Sequence, residues 1–89
     1  TVRYHLPPLN QGEVGHYIQH RLVACGANGA PWFTAAAFWR IYRYSRGIPR
    51  LINAVCDKCL LAGYVKRLER IDFRMVGRAI KELKGQINV

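Results

Sequence analysis

The sequence predicts an all-α domain: a small four-helix bundle over residues 10–89, preceded by a short extended connector over residues 1–9. Three observations predict it. Apolar residues recur at spacings of three and four in four separate stretches. Turn-forming Gly, Asn and Pro punctuate the chain between them. No stretch beyond the first residues alternates apolar and polar long enough to argue a strand, so four helices with short connections must bury their stripes against one another. The 89 residues make one small domain, whose core leaves a thin stability margin.

In the connector, Val2, Tyr4 and Leu6 alternate with polar neighbours, and Pro7 and Pro8 end any strand or helix. Asn10 followed by Glu13 has the spacing of a helix cap with its reciprocal partner. Val14, Tyr17, Ile18 and Leu22 continue at helical spacing, which predicts a first helix from about Gln11 to Ala24. Gly26-Ala27-Asn28-Gly29-Ala30-Pro31 carries turn chemistry. Thr34 suits the cap of a second helix, whose Ala35, Ala36 and Ala37 are strong helix formers. That helix should end near Ser45, with Gly47 in the left-handed position beyond it. Pro49 opens the third helix, at the position where its missing N–H costs nothing. Leu51, Ile52, Val55, Cys56, Cys59, Leu60 and Ala62 make this helix almost wholly apolar, which predicts the buried centre of the domain. Asp72 caps the fourth helix, with Ile71 and Val76 placed to staple its entrance. Phe73, Val76, Ile80 and Leu83 should face inward, and Arg74, Arg78 and Lys81 form a basic outer stripe.

Fourteen Lys and Arg against five Asp and Glu give a formal charge of +9, which favours anionic partners without choosing among nucleotide phosphates, nucleic acid and acidic membrane surfaces. The longest apolar runs fall far short of the roughly 20 residues that cross a bilayer. Thr1 opens the chain without a methionine or a signal-peptide pattern, so the sequence reads as a piece of a longer protein. Three cysteines, Cys25, Cys56 and Cys59, are too few and too odd for a disulfide framework and point to a reducing compartment, by default the cytoplasm.

The most informative stretch is Ser45-Arg46-Gly47-Ile48-Pro49-Arg50-Leu51-Ile52-Asn53. Arg50 falls second in the third helix, where the macrodipole is positive and a cation costs about 0.3–1 kcal/mol. Broken local rules are expected where function demands them, and a helix start with free N–H groups beside an arginine suits phosphate. The plain alternative is an arginine folded back onto a carboxylate such as Asp57. Cys56 and Cys59 have the spacing of half a zinc site, with His16 and His20 one turn apart. Inside an apolar helix, however, they read as an ordinary core pair, and no metal is expected. Trp32, Phe33, Phe38, Trp39, Tyr42 and Tyr44, interleaved with Arg40, Arg43 and Arg46, could stack single-stranded nucleic acid. Core or interdomain packing is the plainer explanation.

Tyr4-His5-Leu6-Pro7-Pro8-Leu9, Glu13, Tyr17-Ile18-Gln19-His20-Arg21-Leu22, Phe33, Ala37, Ile41, Ser45, Gly47-Ile48-Pro49-Arg50-Leu51-Ile52-Asn53, Cys56-Asp57 and Leu60-Leu61 together resemble the lid of the general secretion pathway protein A ATPases. The ATPase of mannose-sensitive haemagglutinin pilus biogenesis is equally similar. The resemblance implies a lid of AAA+ type whose α/β core, with the Walker motifs, Mg and ATP, precedes this chain. Neither motif occurs in these 89 residues, so the chain alone should not hydrolyse ATP and needs no cofactor of its own. It also implies that Arg50 is the sensor 2 residue approaching the γ-phosphate, and that Leu9, Ile18 and Pro49 are apolar contacts near the adenine. Implied partners are the chain's own ATPase core, neighbouring subunits of a ring, and an inner-membrane component of a type II secretion or type IV pilus apparatus.

Two other classes compete. The second helix, its glycine turn and the third helix resemble a DNA-binding helix-turn-helix, although the third helix offers mainly Arg50, Asn53, Asp57 and Lys58 for base edges. If DNA binds, the stripe of Arg74, Arg78 and Lys81 is the better candidate, and since some lids of this type belong to transposition or replication ATPases, a lid and nucleic-acid contact are not exclusive. A pure interaction module would dock that basic helix on an acidic protein or an anionic membrane.

Overall fold

A computed structural model describes residues 7–24 and 32–87. Along the chain it contains α1 (Gln11–Ala24), β1 (Trp32–Phe33), α2 (Ala35–Ser45), α3 (Pro49–Lys66), β2 (Arg70–Ile71) and α4 (Phe73–Ile87). The expected all-α bundle is present. Residues 1–6, the expected turn over 26–31 and Cys25 lie outside the described residues.

The helix starts follow their capping residues. Asn10 and Glu13 bond reciprocally, the backbone N–H of each donating to the other's side-chain oxygen at 2.9 Å. Thr34 Oγ1 accepts from Ala37 N–H at 3.1 Å, and Asp72 Oδ1 accepts from Met75 N–H at 3.0 Å. Ile71 and Val76, the expected staple, are both fully buried.

One core joins all four helices. Val14 and Ile18 enter it from α1, Ala37 and Ile41 from α2, Ile52, Val55, Cys56 and Cys59 from α3, and Val76, Ala79 and Ile80 from α4. Each fully buried isoleucine contributes about 1.5–3 kcal/mol. The Tyr17 hydroxyl donates to Asn53 Oδ1 at 2.8 Å, and Arg21 pairs with Asp57 at 2.9 Å. Two contacts one turn apart on both helices make α1 and α3 run in the same direction.

Three expectations are corrected. The sequence argued for no strand, yet β1 and β2 pair in parallel, with Trp32 opposite Arg70 and Phe33 opposite Ile71. Phe33 and Ile71 alternate inward while Trp32 and Arg70 point out, so the pair roofs the core. Phe73 does not face inward: it is 39% exposed, held between Trp39, stacked at 6.4 Å, and Arg40, whose guanidinium sits 4.1 Å from the ring centroid. Finally, α3 is buried only along one face. Beyond Cys59, Leu61, Tyr64 and Val65 turn outward, because the neighbouring helices cover a single side of its last turns.

Candidate functional site

The corner between α2 and α3 is built from four residues. Ser45 is fully buried. Its hydroxyl accepts from Gly47 N–H at 3.2 Å, and its carbonyl accepts from Ile48 N–H at 3.0 Å. Gly47 adopts the expected left-handed backbone, with φ of 79°, but Arg46 has already turned left-handed at 53°. A non-glycine residue there costs about 1 kcal/mol, so the bend is spread over two residues, one of them strained. The chain then extends through Ile48 and Pro49 starts α3.

Leu9 docks against this corner. Its backbone N–H donates to the Gly47 carbonyl at 2.9 Å, and a Cβ on Gly47 would lie 1.9 Å from the Leu9 carbonyl oxygen. Gly47 is therefore required twice, for its dihedral and for the approach of the connector. Sequence reasoning found the first requirement and missed the second, since no local pattern records a contact across so many residues.

Arg50 is exposed on the first turn of α3, and Ile48 at the cap supplies no side-chain bond to that turn. Among the described residues no carboxylate pairs with Arg50, and Asp57 is taken by Arg21. Arg43 and Arg46 are likewise without carboxylates, and with Tyr42 they line a concavity of about 400 Å³ on the α2 side of the corner. Arg43 lies in the last turn of α2 and Arg46 at its left-handed cap, so helical spacing alone gave no sign that they share a concavity. Leu9 and Pro49 are part-buried beside Gly47 and Arg50. Ile18 is 1% exposed within the core, which leaves it no surface to offer an adenine.

The competing sites fare less well. Cys56 and Cys59 are core residues whose thiols burial pushes up to about 12, helped for Cys56 by its neighbour Cys59. His16 and His20 are exposed on α1. The aromatic cluster is largely consumed internally. Phe33 stacks on Phe38 at 5.6 Å, and Arg43 lies 5.3 Å from the Trp39 ring, so arginines of this chain occupy the faces a base would use. The helix-turn-helix reading loses most of its readers: Asn53 is bonded to Tyr17, Asp57 to Arg21 and Lys58 to Glu82. Arg74, Arg78 and Lys81 remain exposed along α4.

No family model matches the chain, and no solved structure matches it. A curated protein does: General secretion pathway protein A of Aeromonas hydrophila is 39% identical over 85 residues, which are 96% of this chain but only 15% of that protein. The chain is thus similar over nearly its full length to one segment of general secretion pathway protein A.

Proposed function

We propose that this chain is the helical lid of a AAA+ ATPase, closing over ATP held by a preceding core and supplying Arg50 as the sensor 2 residue, in a parent that serves type II secretion or type IV pilus assembly. The observation that carries the reading is the position of Arg50: an exposed cation on the first turn of a helix, without a carboxylate partner among the described residues. A cation and a helix N-terminus at one spot repel each other and are reconciled by a shared anion. The chain lacks a phosphate-cradling loop of its own, so the residues fit a phosphate presented from outside.

Mg and ATP on the core would supply the phosphoryl chemistry. Arg50 stabilises negative charge at the γ-phosphate and loses its partner when that phosphate departs. Leu9, fastened to Gly47, links the connector from the core to the helix that carries Arg50. Changes at the phosphate thereby become changes in lid angle. The adenine contacts assigned to Leu9 and Pro49 belong to the same reading, as do a ring of subunits, a cytoplasmic site of action and an inner-membrane partner. In the full-length parent, Arg50→Ala slows ATP hydrolysis by about a hundredfold or more while helical content and melting temperature stay unchanged. Wild-type turnover in that variant would sink the assignment.

A further inference from the structure

The roles proposed for Arg50, Leu9 and Pro49 leave the outward face of the last turns of α3 unassigned. Leu61, Tyr64 and Val65 follow one another at the spacing of a single helical stripe and are 66%, 82% and 70% exposed, and Leu68, just past the turn that ends α3, is 37% exposed. The stripe lies opposite the face that buries Val55, Cys59 and Gly63, so this part of α3 is apolar on both sides, with the core of the described residues on only one. Helices apolar all round are normally covered all round. Because α1 runs beside α3 in the same direction, the end of α1, where Val23 is 74% exposed, comes alongside the start of the stripe.

The surroundings identify the cover. Below the stripe the chain turns through Arg67 in a left-handed conformation, and Lys66, Arg67, Leu68, Arg70 and Arg78 line a concavity of about 670 Å³ with half-exposed Trp32. Glu69 and Asp72 also line it, so four cations face two carboxylates. A second copy of a chain carrying +9 would bring these like charges together. The stripe itself offers no hydrogen-bonding side chain except the Tyr64 hydroxyl, which suits a partner that needs none. Apolar side chains, a rim of long basic ones, and Tyr and Trp between them are what the boundary of an anionic bilayer selects. Among the described residues no helix is long and apolar enough to cross a membrane, so contact is with the surface.

We propose that the end of α3 docks on an anionic lipid surface, with Leu61, Tyr64, Val65 and Leu68 entering the headgroup–acyl boundary and Lys66, Arg67, Arg70 and Arg78 meeting lipid phosphates. The test is co-sedimentation of the 89-residue chain with phosphatidylcholine vesicles, with and without about 30% phosphatidylglycerol. The chain binds the anionic vesicles, less tightly as salt rises, and leaves the neutral ones alone. The triple variant Leu61→Ser/Tyr64→Ser/Val65→Ser, whose helicity circular dichroism checks, binds about tenfold or more weakly, and Lys66→Glu/Arg67→Glu also loses binding. Absence of binding by the wild type, or equal binding by the folded triple variant, overturns the proposal. So does a wild type that dimerises while the triple variant stays monomeric, since a second copy would then be the cover. None of these outcomes depends on ATP hydrolysis, so failure here leaves the lid reading untouched.

Discussion

Gly47→Ala tests how firmly the connector is coupled to the Arg50 corner. An alanine at φ of 79° costs about 1 kcal/mol in backbone strain. Its Cβ would also lie 1.9 Å from the Leu9 carbonyl oxygen, a backbone atom, so the connector must withdraw. Withdrawal loses the 2.9 Å bond from Leu9 N–H to the Gly47 carbonyl, worth about 1 kcal/mol, and the burial of a half-covered leucine, worth about as much again. The sum is about 3 kcal/mol. The cost stops there because Pro7 and Pro8 are exposed and Leu9 can lift away with the bundle intact. For a domain this small that lowers the melting temperature by about 10–20 °C in far-UV circular dichroism, with native helicity retained at low temperature. Gly15→Ala is the control. A Cβ there meets nothing within 4 Å inside α1, so the substitution stabilises by about 0.5–1 kcal/mol. A Gly47→Ala variant that melts with the wild type would refute the claim that the connector is docked through this glycine.

The two buried thiols predict both reactivity and pH dependence. In a Cys25→Ser background, Cys56 and Cys59 resist a thiol reagent at neutral pH until denaturant is added, and rapid labelling of the native protein would contradict their burial. Because both folded values rise from an ordinary 9.0 to about 12, the unfolded chain loses these protons first. The thiols' contribution to stability is therefore complete below pH 9 and declines as pH rises toward 12, by up to about 1.4 kcal/mol per thiol and pH unit. Urea midpoints in that window should fall more steeply for this chain than for a Cys56→Ala/Cys59→Ala variant, and parallel slopes would argue against the shift. At the start of α1, Asn10→Ala removes one arm of the reciprocal cap and costs about 1 kcal/mol, checked by chemical denaturation with Glu13→Ala closing a double-mutant cycle. A coupling energy of zero would mean that the two bonds are independent.

What the sequence made legible was local. Asn10 with Glu13, Thr34, Asp72, and Gly47 before Pro49 each announce a boundary through chemistry that acts within a few residues, and all four helices begin, and α2 ends, where these residues put them. What it hid was relational. A two-residue strand has no periodicity, so Trp32–Phe33 gave no sign of meeting Arg70–Ile71. Phe73 sits at an inward position by spacing, but Arg40 and Trp39 hold its ring at the surface. The apolar composition of α3 announced burial without direction, and an all-round pattern cannot say which turns are left uncovered. The candidate site divides in the same way. The Gly47-Ile48-Pro49-Arg50 corner was readable from turn and helix-start chemistry, whereas its anchoring by Leu9 and the concavity that Arg43 and Arg46 share depended on where other parts of the chain came to rest.

The strand pair bears on the order in which the molecule assembles. Joining β1 to β2 closes a loop of about forty residues holding all of α2 and α3, at an entropic cost of about 3 kcal/mol. The flanking bonds, from Trp32 N–H to the Glu69 carbonyl and from Thr34 N–H to the Ile71 carbonyl, return about 1 kcal/mol each. With the bonding inside the ladder added, hydrogen bonding no more than offsets the loop. The net stabilisation comes from burying Phe33 and Ile71, a surface that exists only once α2, α3 and α4 have met. The pair is thus a latch thrown after the helices have gathered: its rupture accelerates unfolding, while its formation hardly sets the pace of folding.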